Sequence, residues 1–441
     1  MEIWALLMFA VLMVLLLLGY PVAFTLGAVA TMFGVIGLGV DFFDLLPLRI
    51  WGVMTNFTLL AVPLFVFMGV ILEKSGLAED LLETMGMLFG RLHGGLAVSI
   101  VIVGALLAAT TGVVGATVVT MGVLALPALL KKGYQPELAT GTIAASGTLG
   151  QLIPPSIILI LLGDVVGVPI GRLFAAAVMP GLLLVGMFIL YVVIYSKLRP
   201  QCAPALTPTN ETGANLASRV FKSLLPPLLL IVAVLGSIFF GIASPTESAA
   251  VGALGAMVLA AGHRRLSLDN IVEASRFTTR LTSMVFLILI GATAFGLVFR
   301  GLGGDTLVEH IMGNLPGGVW GFLATSMVLI FLLGFFLDFL EICFIVVPIL
   351  APIAVGLGVD PLWYAVLIAV NLQASFLTPP FGFSLFYLKA AAPPQINIGH
   401  IYRGVVPFIL IQVFILGVLL VFPRLTLWLP DLMDRMQGFT N

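Results

Sequence analysis

Long apolar segments, separated by short polar or Gly/Pro-rich joints, recur from one end of the chain to the other. A helix needs about 20 apolar residues to cross a bilayer, so the run lengths are informative. Residues 3–19 and 22–39 predict two spans joined by a turn at Gly19-Tyr20-Pro21, with one long kinked helix as the alternative. Residues 51–72 predict a third span. In 73–91, Glu73, Lys74, Glu79, Asp80 and Glu83 are set among Leu and Met, the pattern of a helix lying in the interface.

Residues 95–130 are mostly apolar but are interrupted by Thr110, Thr111, Gly112 and Thr117. The two halves are short for full spans. A re-entrant hairpin is therefore expected, its polar tip lining a cavity, and two full spans meeting at a turn is the competing reading. Residues 319–355 repeat the pattern, with Asp338 and Glu341 at the tip. Each of these segments is followed by an apolar span broken by a polar stretch that carries Pro-Pro. The first, 137–162, contains Ser146, Thr148, Gly150, Gln151, Pro154, Pro155 and Ser156, and the second, 362–392, contains Asn371, Gln373, Ser375, Thr378, Pro379, Pro380, Gly382 and Ser384. Further spans are expected at 173–195, 224–240, 248–261, 281–299 and 404–422. Residues 197–222 and 263–280 read as polar loops, and Ala243-Ser244-Pro245-Thr246-Glu247 reads as a helix N-terminal cap.

The two halves repeat. Sliding the sequence by 225 positions superposes Pro127 on Pro352, Pro136 on Pro361, Pro154 on Pro379, Pro155 on Pro380 and Pro169 on Pro394, where roughly one coincidence is expected by chance. Five crossings separate the bases of the two hairpins, so the repeats enter from opposite faces. The expected fold is an all-α polytopic membrane protein with about ten full spans, two re-entrant hairpins and two broken helices in an inverted repeat. Its parts are N-terminal helices and an interfacial arm (1–94), a first repeat (95–172; hairpin 95–131, broken span 137–162), connecting helices (173–317), a second repeat (318–394; hairpin 319–355, broken span 362–392) and a C-terminal span and tail (395–441).

Composition agrees. A mean hydropathy of +1.22, with 61% hydrophobic and 9% charged residues, lies far from soluble usage, where about a quarter of residues are charged. A net charge of −1 gives no reason to invoke nucleic acid. With the hairpin base at Arg91 and Lys131 placed inside, fourteen Lys and Arg fall on the cytoplasmic side and five outside, which puts both termini outside. No H-E-x-x-H, G-x-S-x-G or phosphate-binding Gly-Lys loop occurs, so neither an ATPase nor an intramembrane hydrolase, nor any other enzyme, is indicated.

The chemistry is expected at the breaks. Proline lacks an N–H and opens carbonyls that lipid cannot solvate. Half-helix C-termini with nearby hydroxyls suit Na⁺, whereas half-helix N-termini suit a carboxylate. The expected Na⁺ ligands are Thr111, Gly112, Thr117, Thr148, Gly150, Pro154, Asp338, Glu341, Thr378, Pro379 and Gly382. The expected substrate contacts are Ser146, Gln151, Ser156, Asn371, Gln373, Ser375 and Ser384. Asp338 and Glu341 stand out, because a carboxylate inside a span is costly and three-residue spacing puts both on one helical face. The competing reading is that such hydroxyls bond only their own backbone and that the acids sit at a wet tip.

With Gly19-Tyr-Pro-Val-Ala-Phe24, Gly112-Val-Val-Gly-Ala-Thr117, Gly147-Thr-Leu-Gly-Gln-Leu-Ile-Pro-Pro-Ser156, Ala243-Ser-Pro-Thr-Glu-Ser248 and Leu377-Thr-Pro-Pro-Phe-Gly382 in view, the chain resembles the large membrane (M) subunit, DctM-like, of the tripartite ATP-independent periplasmic (TRAP) transporters. The resemblance implies an elevator-type secondary transporter of the bacterial inner membrane, driven by Na⁺ as coupling ion and needing no other cofactor. It also implies a periplasmic substrate-binding protein that delivers a small carboxylate and a separate small four-helix membrane subunit. A stand-alone ion-coupled carboxylate carrier of the same inverted-repeat fold is the alternative, and a non-transporting membrane scaffold a more distant one.

Overall fold

The computed structural model describes residues 2–205 and 213–436, all helix and connection with no strand among them. Part of the polar stretch 197–222 thus lies outside the described residues. In chain order the helices are α1 (Glu2–Leu17), α2 (Val22–Leu38), α3 (Leu46–Met54), α4 (Ala61–Lys74), α5 (Leu77–Phe89), α6 (Gly95–Thr111), α7 (Val114–Lys131), α8 (Pro136–Thr148), α9 (Ile157–Val166), α10 (Ile170–Leu198) and α11 (Gly213–Phe239). They continue as α12 (Pro245–Gly262), α13 (Leu268–Gly301), α14 (Gly304–Gly313), α15 (Val319–Leu333), α16 (Phe339–Glu341), α17 (Val347–Gly356), α18 (Pro361–Leu377), α19 (Phe383–Ala391), α20 (Ile398–Val421) and α21 (Arg424–Met436). A π turn, Ile342–Val346, makes α16 and α17 one continuous arm. Seven described helices are long and apolar enough to cross a membrane, and six shorter apolar ones accompany them.

Gly19, at φ +84°, makes the turn between α1 and α2. The two hairpins are α6–α7 and α15–α17, and the two broken spans are α8–α9 and α18–α19. Three expectations need correction. Residues 51–72 are not one span: the chain breaks after α3, where the Asn56 side chain accepts the Thr58 N–H at 3.0 Å and starts a short 3-10 turn ahead of α4. Residues 263–280 are not a loop, because Ser267 caps α13 and the helix runs 34 residues, carrying its polar first third past the apolar zone. In 197–222, helix begins at Gly213. The helices α14 and α21 were not expected at all.

Within 73–91, α5 is amphipathic. Leu77, Ala78, Leu81 and Met85 are buried on one face of α5, which packs on α6 and α11, while Glu79, Asp80 and Glu83 stay exposed. The 243–247 stretch is a capping box: Ser244 Oγ receives the Glu247 N–H, and a Glu247 carboxylate oxygen receives the Ser244 N–H at 2.7 Å. The backbone and then the hydroxyl of Ser244 hold the Glu247 carboxyl below the usual carboxylate range, so its contribution is present above that range and is lost as pH falls through the lowered value. Ser244→Ala should cost about 1 kcal/mol, read as a lower melting temperature of the purified protein.

Lipid tails give no hydrophobic force between helices, so close approach must come from small residues and hydrogen bonds. α8 shows this most clearly. A Cβ added to Gly141 would lie 2.1 Å from the Gly404 carbonyl of α20, and one on Gly404 would lie 2.1 Å from the Glu137 carbonyl of α8. On its other faces α8 meets the first hairpin, where Gly104 sits against Ser146 and Gly147 against Val118. The second repeat has the matching arrangement, α18 packing on α15 and α17. The outer half of each broken span then crosses to the other repeat, α9 onto α17 and α19 onto α7. Around this bundle lie α2, α3, α4, α12 and α13, with α12 packed along α4 and α13 along α2.

Candidate functional site

The breaks of α8–α9 and α18–α19 meet in the middle of the bundle. Thr148 and Gln373, which are 225 positions apart and therefore counterparts in the repeat, touch each other. Thr148 Oγ1 accepts from Gln373 Nε2 at 3.4 Å and from Gln412 Nε2 of α20 at 3.4 Å, and donates to the Ala145 carbonyl at 2.8 Å. All three side chains are fully buried, and so is Gln151. Both amide atoms of Gln151, and Oε1 of Gln373 and Gln412, have no protein partner among the described residues. Such atoms are costly unless water or an ion meets them.

The remaining expected residues fall into three groups. Several hydroxyls bond their own helix: Thr110 and Thr111 reach Leu107 O, Ser146 reaches Thr142 O, Ser375 reaches Leu372 O and Thr378 reaches Ala374 O. Others join elements. Thr111 and Thr117 Oγ1 are 2.8 Å apart across the first tip, Asn371 Nδ2 donates to Met327 O of α15 at 2.7 Å, and Ser384 Oγ donates to Ala144 O of α8. Ser156 Oγ turns back to Gln151 O, and Gly150 lies against Ala108 as its counterpart Ser375 lies against Gly334. Pro154 and Pro379 each precede a cis proline. At the second tip Asp338 caps α16 through the Phe339 N–H at 2.6 Å, while Glu341 Oε2 accepts the Asp338 N–H at 3.1 Å. Gly382 precedes α19.

Two cavities flank the bundle at opposite ends of α4 and α13. One, of about 520 Å³, lies beside Lys74 and Glu273 and reaches both hairpin tips, at Gly112 and at Asp338. The other, of about 490 Å³, lies beside Arg49, Asp164 and Arg300 and touches neither tip. They are counterparts: Lys74, Thr120, Leu281 and Met284 of the first correspond, at a spacing of 225, to Phe299, Ile345, Asn56 and Leu59 of the second. Gly112 and Asp338 are the only residues expected from sequence that line the first cavity; the expected substrate contacts are buried behind it.

At the first cavity, α7 and α9 present N-termini that no side chain caps. Val113 cannot cap. Ser156 could, but its hydroxyl is turned to Gln151 O. Val114 and Ile157, the first residues of these helices, both face the cavity, so free N–H groups and two positive dipole ends look into one space.

Polar ties also join the bundle to the surrounding helices. Thr120 Oγ1 of α7 donates to Glu73 Oε1 of α4 at 2.6 Å, and Asn56 Nδ2 donates to Asp164 Oδ1 of α9 at 2.6 Å. The sequence reading did not single out Gln412, Asp164 or Thr120. Gln412 carried a signal, as the lone polar side chain between Gly404 and Val421, and so did Asp164, a carboxylate in an apolar helix.

A family model described as the tripartite ATP-independent periplasmic transporter, DctM component, matches residues 9–425. The C4-dicarboxylate TRAP transporter large permease protein of Rhodobacter capsulatus is 31% identical over 97% of this chain and 99% of its own length. The sialic acid large permease protein of Vibrio cholerae is 32% identical over 95% and 96%, and the ectoine large permease protein of Halomonas elongata is 31% identical over 97% and 99%. Among solved structures, the YdaH transporter of Alcanivorax borkumensis matches with a TM-score of 0.64 at 16% identity, covering 94% of this chain and 99% of that one, a likeness of fold.

Proposed function

We propose that this chain, which belongs to the DctM family of the tripartite ATP-independent periplasmic transporters and is a large permease subunit rather than an enzyme, imports a small organic carboxylate across the bacterial inner membrane by Na⁺ symport. The observation that carries this reading is the cavity reaching both hairpin tips, with the uncapped N-termini of α7 and α9 turned into it. The N-termini bind the cargo carboxylate. Na⁺ sits where the tips meet the breaks. Thr111, Gly112 and Thr117 with Thr148, Gly150 and Pro154 offer oxygens in the first repeat, and Glu341 with Asp338, Thr378, Pro379 and Gly382 offers them in the second. Ser146, Gln151, Ser156, Asn371, Gln373, Ser375 and Ser384 then act from behind, holding the breaks in shape through the bonds described above.

The bundle of hairpins and broken spans moves as an elevator against α2, α4, α12 and α13. The Lys74 end faces the cytoplasm, in keeping with the bias of Lys and Arg, and both termini face the periplasm. A small four-helix membrane subunit and a periplasmic substrate-binding protein complete the system.

Reconstitution of both membrane subunits in proteoliposomes with the cognate binding protein tests this. Uptake should rise with an inward Na⁺ gradient and fall to background when Na⁺ is replaced by choline or the binding protein is left out. Uptake indifferent to Na⁺ would refute the symport, and uptake undiminished without the binding protein would point to a stand-alone carrier.

A further inference from the structure

Two side-chain hydrogen bonds cross the seam between the bundle and α4 with the turn that precedes it, one toward each end. At the Lys74 end Thr120 of α7 donates to Glu73, and at the Arg300 end Asn56 donates to Asp164 of α9, each at 2.6 Å and half-buried. In both the acceptor is a carboxylate, which makes the bond stronger than one between neutral groups. Between them the seam is bare. α4 passes the first hairpin tip with Gly69 against the Thr111 backbone, where an added Cβ would lie 2.5 Å from the Thr111 Cα. Such a contact packs closely but holds no direction, so resistance to sliding is concentrated in the two polar bonds.

Both bonds can also be undone. Glu73 and Thr120 line the cavity at the Lys74 end, and Asn56 and Asp164 line the one at the Arg300 end, each cavity large enough for water to take over the separated partners. The matching posts of the repeat offer no replacement. At a spacing of 225, Glu73 and Thr120 correspond to Val298 and Ile345, and Asn56 and Asp164 correspond to Leu281 and Lys389. Neither pair of counterparts can share a side-chain hydrogen bond, and Lys389 Nζ already donates to the Ile396 carbonyl. The two bonds therefore belong to one orientation of the bundle.

We infer that the Asn56–Asp164 and Glu73–Thr120 bonds form a two-point latch, which makes the orientation open at the Lys74 end the resting one and must release at both points each time the bundle crosses. This rests on the proposed movement of the bundle. All four are positioning residues that set where the bundle rests, and none is among the groups assigned to Na⁺ or to the cargo carboxylate. An orientation without the latch is less populated by the strength of the two bonds, net of what water returns to the freed carboxylates.

The test uses the complex of the large and small membrane subunits in lipid nanodiscs, without cargo. Spin labels at Leu268, on the exposed start of α13, and at Lys132, on the exposed base of the first hairpin, are attached by a chemistry that spares Cys202 and Cys343. Their separation reports the bundle's position against the surrounding helices, and the parent should show one dominant distance. Asn56→Asp keeps an oxygen to accept the Thr58 N–H but sets a second carboxylate against Asp164. At about pH 8, where carboxyls are ionised, repulsion should raise a second distance relative to the first by about ten-fold. Thr120→Val, matched in shape, should move the same ratio in the same direction by at least about three-fold. Exchanging the partners, Asn56→Asp with Asp164→Asn, sets an amide against a carboxylate again and should return the ratio close to the parent's. A lower melting temperature in Asn56→Asp with the ratio unmoved overturns the latch, as does a double variant no closer to the parent than Asn56→Asp alone. A second distance already abundant in the parent and insensitive to either single variant overturns the latch and leaves the movement standing. One unchanging distance in every variant, with and without Na⁺ and cargo-loaded binding protein, would strike the movement itself and the latch with it.

Discussion

Replacing Gly141 by valine is expected to abolish a stable permease. α8 and α20 approach through bare backbone, and a Cβ at position 141 would meet the Gly404 carbonyl oxygen at 2.1 Å and its carbon at 2.5 Å. Neither atom is the end of a flexible side chain, so the helices must separate. α8 is buried along nearly its whole length between α20 and both arms of the first hairpin, which leaves no direction of retreat. Overpacking of this kind costs about 1–3 kcal/mol where neighbours can relax, and more against fixed backbone. Fluorescence-detected gel filtration of a tagged protein should show loss of the monodisperse peak, and even Gly141→Ala should lower the melting temperature. Gly417→Ala, on the same α20 with nothing within 4 Å of the added methyl, is the control that should be tolerated. A Gly141→Val protein as heat-resistant as the parent would mean that the α8–α20 approach is looser than described.

Thr148→Val should have the second largest effect. The shapes match, but valine removes the oxygen that accepts from both Gln373 and Gln412 and leaves two fully buried amides facing methyl groups. Each unsatisfied group costs about 1–3 kcal/mol. Because this hydroxyl joins the two breaks to each other and to α20, we expect lower stability together with a higher Na⁺ concentration for half-maximal uptake. Reduced melting temperature with unchanged Na⁺ dependence would make Thr148 a purely structural link between the repeats. Restoring an acceptor with Thr148→Ser should recover most of both properties.

The parts legible in the sequence were those marked by broken periodicity. The Pro-Pro pairs, the polar tips and the 225-residue spacing located hairpins and broken spans, because a helix interrupted in lipid needs residues that satisfy its backbone. Hydropathy reports what contacts lipid, and it says little about where a helix ends. This is why residues 51–72 read as continuous although Asn56 breaks them, and why the charged first turns of α13, with Glu273, Arg276 and Arg280, read as a loop. The site was half legible. Polar residues at the breaks were visible, but which of them look into open space depends on how the two repeats cross. The rings of Phe339, Phe376 and Tyr387, which line the cavity at the tips, gave no signal in a chain with 32 phenylalanines and seven tyrosines.

The paired cavities carry a consequence for how the opposite orientation arises. Residues 225 apart occupy matching posts at the two ends, yet only one end opens to the tips. If the halves trade shapes, each taking the backbone form its twin now holds, the tips become reachable from the Arg300 end without any new packing surface. Steric bulk should then act antisymmetrically: a large side chain at Met284 should bias the resting population toward opening at the Arg300 end, and one at its twin, Leu59, toward opening at the Lys74 end.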